Sequence, residues 1–116
     1  MELIAFLGED KTNWGQVTAL LNRGEWDKVI LIKNKKADDY PSKNCEIISI
    51  NSEKMIMELK KEIMEKLKGK ISGLEVALSI ASGTGKEHIA LISALLSLPV
   101  GIKLVVYTKD GIEFGN

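Results

Sequence analysis

The sequence contains few cysteine, proline, histidine and aromatic residues. A single cysteine among 116 residues, Cys45, can form no disulfide within one chain, which indicates a reducing, cytoplasmic compartment. The net charge is zero as well, since 16 basic residues balance 16 acidic ones. A general binder of duplex nucleic acid needs a broad basic face, so the composition argues against that function but leaves room for a local basic pocket.

Long hydrophobic runs are absent as well. No segment approaches the roughly 20 apolar residues of a membrane-spanning helix, and the apolar start LIAFLG (3–8) is too short for a signal peptide. We therefore expect no association with a membrane. The hydrophobic content of 45% and the charged content of 28% are typical of a globular protein, and the length predicts one domain over 1–116.

Short apolar runs alternate with amphipathic stretches along the chain. Runs rich in β-branched residues indicate buried strands, and apolar residues three and four apart indicate helices. The predicted strands are 2–8, 27–33, 46–50, 74–80, 102–108 and 112–114, and the predicted helices are 13–24, 53–68 and about 85–98. This alternation predicts an α/β, Rossmann-like fold with a mostly parallel sheet, helices on both faces and a C-terminal β-hairpin. Asp110-Gly111 provides the turn signal of that hairpin.

The first two helices have further local signals. Asn13 and Gln16 have the spacing of a capping box, which predicts a helix start at Asn13. Three methionines broaden the apolar stripe of the second helix, and their flexible side chains predict core filling. They are Met55, Met57 and Met64.

The segment 33–45 is the least determined part of the pattern. It is mostly polar and contains Pro41, so we assign it as a loop with room for one helical turn. A crossover between parallel strands needs a dozen or more residues, and this segment is barely long enough.

The stretch SIASGTGKEH (79–88) follows the fourth predicted strand and is close in spelling to a nucleotide-binding loop. A Walker A loop needs glycine five places before the Gly-Lys pair and Ser or Thr directly after it, but Ile80 and Glu87 occupy those positions. A dinucleotide fingerprint needs a third glycine where His88 stands. These departures argue against both an ATPase and a dinucleotide-binding protein.

The same stretch has the features of a site for one phosphate. Thr84 and Glu87 form a capping box that starts a helix there. Residues 82–85 leave the backbone uncovered where the first helical N–H groups point outward, and Lys86 adds a cation. The alternative stays open that the glycines only turn the chain sharply into a packed helix.

Ligands of open parallel sheets bind beyond the carboxyl ends of the strands, where the strand order reverses. With the order 3-2-1-4-5, residues 8–12 would face residues 82–86 across such a crevice. Glu9 and Asp10 lie in the same rim and weaken an anion site unless they point away or take part in chemistry. The segments that leave the strand ends contain six lysines: Lys11, Lys33, Lys35, Lys36, Lys54 and Lys86.

The order of elements with its terminal hairpin, together with SGTGKEHIALISALL (82–96), resembles the CRISPR-associated Rossmann fold (CARF) family. LGEDKT (7–12) is similar to that family's first ligand loop. The resemblance implies a homodimer, active in antiviral defence, that binds cyclic oligoadenylate in a shared crevice. The ligand-binding residues that it implies are Gly8, Asp10, Lys11, Thr12, Ser82, Gly83, Thr84, Gly85 and Lys86.

The first functional hypothesis is therefore a stand-alone CARF-like dimer that binds cyclic oligoadenylate. No effector domain follows Asn116, so we expect it either to cleave the ring or to sense it for a partner chain. Cleavage would need no metal and no cofactor, because a ribose 2′-hydroxyl attacks the adjacent phosphorus while Lys86 and the backbone stabilise charge. His88 and Asp10 are the candidates for a general base.

The second hypothesis comes from another class of protein. A non-enzymatic Rossmann-like module with the same sequence pattern would bind a mononucleotide or another protein. An interaction domain without any ligand is the third hypothesis.

Overall fold

A computed structural model describes residues 1–41 and 44–116 and contains, in those ranges, six strands and three helices. The strands are β1 (Glu2–Leu7), β2 (Val29–Asn34), β3 (Glu46–Ile50), β4 (Glu75–Ser79), β5 (Gly101–Thr108) and β6 (Gly111–Phe114). The helices are α1 (Gly15–Arg23), α2 (Ile56–Leu67) and α3 (Gly85–Leu96), and a 3₁₀ turn, Lys11–Asn13, precedes α1. None of the helices in these ranges is long and apolar enough to cross a membrane.

The strands form one sheet in the order β3-β2-β1-β4-β5-β6. The first five strands are parallel to their neighbours, and β6 runs antiparallel to β5. The predicted α/β fold with its C-terminal hairpin is thus confirmed. Because β1 pairs with β2 on one side and with β4 on the other, the strand order reverses between β1 and β4, as predicted.

Helices cover both faces of the sheet. Successive side chains of a strand point to opposite faces, so Ile4 and Phe6 pack with α2 and α3, whereas Leu3, Ala5 and Leu7 pack with α1. Every residue of β1 is buried, which explains its unbroken apolar run. Each large apolar side chain buried in this way stabilises the fold by roughly 1.5–3 kcal/mol.

The predicted capping box at the start of α1 is wrong. The helix begins at Gly15, and its N-cap residue, Trp14, makes no side-chain capping hydrogen bond. Gln16 instead donates to the Tyr107 carbonyl at 2.7 Å and accepts from the Tyr107 N–H at 2.9 Å. Backbone groups of β5 therefore bind the side chain that the local spacing assigned to capping at Asn13.

The methionine prediction holds for only one of three residues. Met64 is half-buried and packs against the core on the α2–α3 side. Met55, the N-cap residue of α2, and Met57, in its first turn, are exposed.

The connection between β2 and β3 forms a turn directly after the strand. The Ala37 N–H donates to the Asn34 carbonyl at 2.9 Å, and the buried Lys33 ammonium donates to the Ala37 carbonyl at 3.0 Å. No helix is present in 35–41 or 44–45, the described parts of the connection. Positions 42 and 43 of the predicted loop lie outside the described residues.

Candidate functional site

Two glycines allow the end of β1 to contact the turn between β4 and α3. A Cβ atom on Gly8 would lie 2.7 Å from the Gly83 nitrogen, and one on Gly83 would lie 2.7 Å from Phe6 Cδ1. Gly83 also has a φ of +105°, a conformation that glycine adopts without the strain of a side chain. The Gly8 N–H donates to the buried Ser82 hydroxyl oxygen at 2.8 Å. The two segments that the sequence places across the crevice are thus in direct contact.

Helix α3 begins with the predicted capping box. The Thr84 hydroxyl accepts from the Glu87 N–H at 3.2 Å, and Glu87 Oε1 accepts from the Thr84 N–H at 2.8 Å. The first N–H groups of a helix have no partner within it, which leaves those of Gly85 and Lys86 unbonded within the described part of the chain. A Cβ on Gly85 would meet no atom within 4 Å, so this backbone is open.

A polar network connects the ends of β1, β2 and β3 to α3. The buried Asn34 donates to Glu9 Oε1 at 2.7 Å and accepts from the Ser52 N–H at 3.1 Å. The Ser52 hydroxyl donates to Glu87 Oε2 at 2.5 Å, and the Lys86 ammonium donates to the Ser52 carbonyl at 2.7 Å. The network holds both Glu9 and Lys86 in defined positions.

These elements surround a cavity of about 710 Å³, a size typical of sites for small molecules. The predicted ligand-binding residues that line the cavity are Gly8, Asp10, Gly83, Thr84 and Lys86. The predicted ones that do not line it are Lys11, Thr12, Ser82 and Gly85. The other residues of its wall are Glu9, Asn13, Asn34, Lys36, Ser52, Glu53 and Glu87.

Asp10 and His88, the two candidate bases, both make local contacts. The hydroxyl of Thr12 donates to Asp10 Oδ1 at 2.6 Å and its N–H donates at 3.0 Å, and these bonds hold the pKa of Asp10 below its ordinary value. His88 Nε2 lies 2.6 Å from the Ser82 carbonyl oxygen, and its ring packs edge-on against Phe6. Asp10 therefore caps the 3₁₀ turn, and His88 supports the turn before α3 without lining the cavity.

Several rim lysines are engaged with neighbouring groups. Lys11 pairs with Asp38 at 2.7 Å, away from the cavity wall. Lys54 lies 3.5 Å from Glu62, and the buried Lys33 bonds the carbonyl of the β2–β3 turn described above. These three lysines therefore have protein partners.

The wall of the cavity has mixed charge. Lys36 and Glu53 form an ion pair at 2.5 Å, and their hydrogen bond raises the pKa of Lys36 and lowers that of Glu53. Lys86 is the other ammonium group of the wall, beside the carboxylates of Glu9, Asp10, Glu53 and Glu87. The strand-end lysines therefore do not form a uniformly basic pocket.

Asn34 and Ser52 are two wall residues that sequence reasoning missed. Both lie at the carboxyl end of a strand, Asn34 as the last residue of β2 and Ser52 two residues after β3. Their position at the end of a strand was the available signal, but the prediction used only the lysines of these segments. Their uncharged side chains connect the wall instead of contributing charge.

The fold and the cleft define an open α/β protein with a candidate ligand site where the strand order reverses. Among the residues that the structure describes, no three His, Cys, Asp or Glu side chains are placed to bind a metal ion together. No protein-family model, no curated protein and no solved structure matches the chain. The resemblance to the CARF family therefore stays a prediction from the sequence.

Proposed function

We propose that the chain is a homodimeric, cytoplasmic, CARF-like protein that binds cyclic oligoadenylate in the cleft between β1 and α3. One observation is the main support: the open N–H groups of Gly85 and Lys86 lie beside a cavity of nucleotide size at the strand-order reversal. Binding would be used either to cleave the ring or to signal to a partner chain.

A phosphate group of the ligand would lie at the start of α3. The two open N–H groups point out of the helix, and the positive end of its dipole favours an anion there by roughly 0.3–1 kcal/mol. Lys86, which lines the cavity while it bonds the Ser52 carbonyl, adds a charge-assisted hydrogen bond to a phosphate oxygen. This role requires only that the ammonium group keep its present position.

Glu9 would recognise the ribose. Asn34 holds its Oε1 atom, while Oε2 has no hydrogen-bond partner among the described residues, and Glu9 lines the cavity. A carboxylate oxygen accepts hydrogen bonds from hydroxyl groups, so Glu9 accepts from the 2′-hydroxyl of a nucleotide whose phosphate lies at α3. The acidic residue is then compatible with an anionic ligand.

Cleavage would use the same contacts. The 2′-oxygen forms a bond to the adjacent phosphorus, the bond from phosphorus to the 5′-oxygen breaks, and a proton reaches the 5′-oxygen. The products are a 2′,3′-cyclic phosphate and a 5′-hydroxyl. Glu9 would take the 2′ proton and return it, through a water molecule, to the 5′-oxygen, and the α3 N–H groups with Lys86 would stabilise charge on the phosphate oxygens.

The alternative function, a non-enzymatic module that binds a mononucleotide, is favoured by one feature. Within the described residues, the candidate site combines the start of one helix, α3, with a cavity of about 710 Å³, which is enough for one nucleotide.

Titration calorimetry with cyclic oligoadenylates of several ring sizes, and with AMP, tests both functions. We expect a cyclic species to bind in the micromolar range and Lys86→Ala to weaken that binding about tenfold, which is about 1.4 kcal/mol. Lys61→Ala, an exposed lysine of α2 outside the cavity, is the matched control and should bind like the natural chain.

The outcomes separate the hypotheses. Absence of heat with every cyclic species at high micromolar concentration rules out the proposed ligand, and binding of AMP alone supports the mononucleotide function. Chromatography of the cyclic ligand, after incubation with the protein in the presence of a metal chelator, decides whether the chain cleaves the ring or only senses it. A large loss of thermal stability in Lys86→Ala would show that this lysine is structural.

A further inference from the structure

A small apolar surface at the start of α2 lies beside the candidate cleft. Its members, Met55, Ile56 and Met57, are 74%, 36% and 60% exposed, and we name them the methionine shelf. Together with Glu58 and Lys86 they line an open depression of about 460 Å³. Because the three side chains belong to neither half of the core, their apolar character calls for another explanation.

Lys86 connects the methionine shelf to the cleft. Its side chain lines both the depression at the shelf and the larger cavity of about 710 Å³. Its ammonium group donates to the Ser52 carbonyl at 2.7 Å, and Ser52 also lines the larger cavity. A molecule that contacts Lys86 in the cleft can therefore extend past this side chain onto the shelf.

The methionine shelf has room for one small group and is too small for a protein partner. Charged residues follow it on the next turn of α2, where Lys60 and Lys61 lie three and four positions after Met57. A specific protein interface buries roughly 800 Å² on each partner, which is more than three partly exposed side chains can supply. The position beside Lys86 therefore favours one small apolar group that belongs to an anionic ligand.

The thioether chemistry of methionine favours an aromatic ring as that group. Methionine side chains are flexible and polarizable, and their sulfur atoms make favourable contacts with aromatic rings. In a nucleotide, the ribose separates such a ring, the base, from a phosphate. A phosphate at the start of α3 and a base on the methionine shelf would thus be parts of one molecule that extends past Lys86.

We propose that the methionine shelf binds the base of a nucleotide whose 5′-phosphate lies at the start of α3. The inference rests on the proposed function and adds to it a base-binding subsite beside the cleft. In a cyclic ligand, Glu9 accepts from the ribose on the 3′ side of that phosphate, and the methionine shelf contacts the base on the 5′ side. A mononucleotide with a 5′-phosphate uses the shelf in the same way.

The methyl resonances of methionine test the proposal directly. The chain contains four methionines, Met1, Met55, Met57 and Met64, which give four signals once their methyl groups are labelled with ¹³C. The ring current of a base shifts the signals of methyl groups that pack against it. We expect 5′-AMP to shift the signals of Met55 and Met57 and to leave those of Met1 and Met64 in place. Ribose 5-phosphate, which has the phosphate but no base, should shift none of the four.

Calorimetry of three variants, with the cyclic species and with 5′-AMP, measures the energetic part. The double variant Met55→Ala/Met57→Ala should weaken binding about tenfold, because the base loses both sulfur contacts. Met55→Leu/Met57→Leu keeps an apolar surface and should retain most of the affinity. Leu74→Ala, at an 85% exposed residue just before β4, is the matched control and should bind like the natural chain.

The outcomes separate this proposal from the proposed function. Nucleotide binding that leaves the Met55 and Met57 signals in place, or that the double alanine variant does not weaken, overturns only the base subsite. Equal shifts with ribose 5-phosphate would assign the effect to the phosphate and overturn it as well. Shifts with 5′-AMP, but no binding of any cyclic species, support the base subsite and contradict only the cyclic ligand. A chain that binds no nucleotide by either method overturns both.

Discussion

At the residue scale, three glycines close to the cleft have three different roles. Gly8 permits the close approach of two backbones, and Gly83 combines a left-handed φ with contact to Phe6. Gly85 meets no atom and leaves the start of α3 open. The residue type is the same at all three positions. The surrounding atoms decide whether the glycine permits close packing or leaves the backbone accessible.

These roles predict opposite responses to alanine. Gly83→Ala should lower the free energy of unfolding by about 2 kcal/mol or more, because the new methyl group meets Phe6 and the backbone is strained. Gly85→Ala should leave stability unchanged or raise it by roughly 0.5–1 kcal/mol. Urea denaturation of both variants measures the difference, and equal stability of the two would contradict the assigned roles.

At the scale of the element, α3 links the architecture to the cleft. Its capping box satisfies two backbone groups at the start, and Glu87 of that box also accepts from Ser52 beyond β3. The inner residues complete the core, and the N–H groups of Gly85 and Lys86 have no partner within the described part of the chain. One helix thus combines a local start signal, a packing surface and a candidate anion site.

The capping hydrogen bond of Thr84 can be tested separately from the rest of α3. Thr84→Ala should lower the free energy of unfolding by about 1 kcal/mol, since the Glu87 N–H loses its acceptor. Thr84→Ser keeps the hydroxyl and should restore most of that loss. Thermal and urea unfolding provide the measurement, and a Thr84→Ala variant as stable as the natural chain would mean that water replaces the cap without cost.

At the scale of the whole molecule, ion pairs and carboxylate hydrogen bonds join segments that are distant in sequence. Burial opposes the ionisation of Glu62, but the Asn51 N–H and the Lys66 ammonium outweigh it, so its pKa lies below the ordinary value of 4.5. Hydrogen bonds from Lys11 likewise hold the pKa of Asp38 below 3.8. Lowered pKa values mean that the ionised forms stabilise the folded state.

The direction of these pKa shifts predicts how stability depends on pH. This stabilisation is complete above the ordinary values of 3.8 and 4.5 and is lost as the pH falls through the lower values of the folded state. The free energy of unfolding should therefore fall from pH 6 to about pH 3. Glu62→Gln should reduce stability at pH 6 and flatten the dependence, whereas Glu65→Gln, an exposed carboxylate without an ion pair among the described residues, should change neither. Urea unfolding at each pH measures the slope, and an unaltered slope in Glu62→Gln would contradict the assignment.

Much of the fold was predictable because its signals are local. The run 3–7 has no polar interruption, since both faces of β1 are buried, and Thr84 lies one helical turn from Glu87. The start of α1 was mispredicted because Gln16 is bound by Tyr107, which is far away in sequence. The exposure of Met57 was likewise invisible to a pattern that registers only apolar character.

The sequence by itself determined the alternation of buried strands and helices, and with it the α/β class, because a side chain's periodicity follows from the few residues beside it. Only the tertiary structure decided which groups meet in the cleft. The Gly8 N–H and the Ser82 hydroxyl are 74 positions apart, and Asn34 joins Glu9 to Ser52 across three strand ends. Such contacts depend on how whole elements pack, and no local pattern encodes that packing.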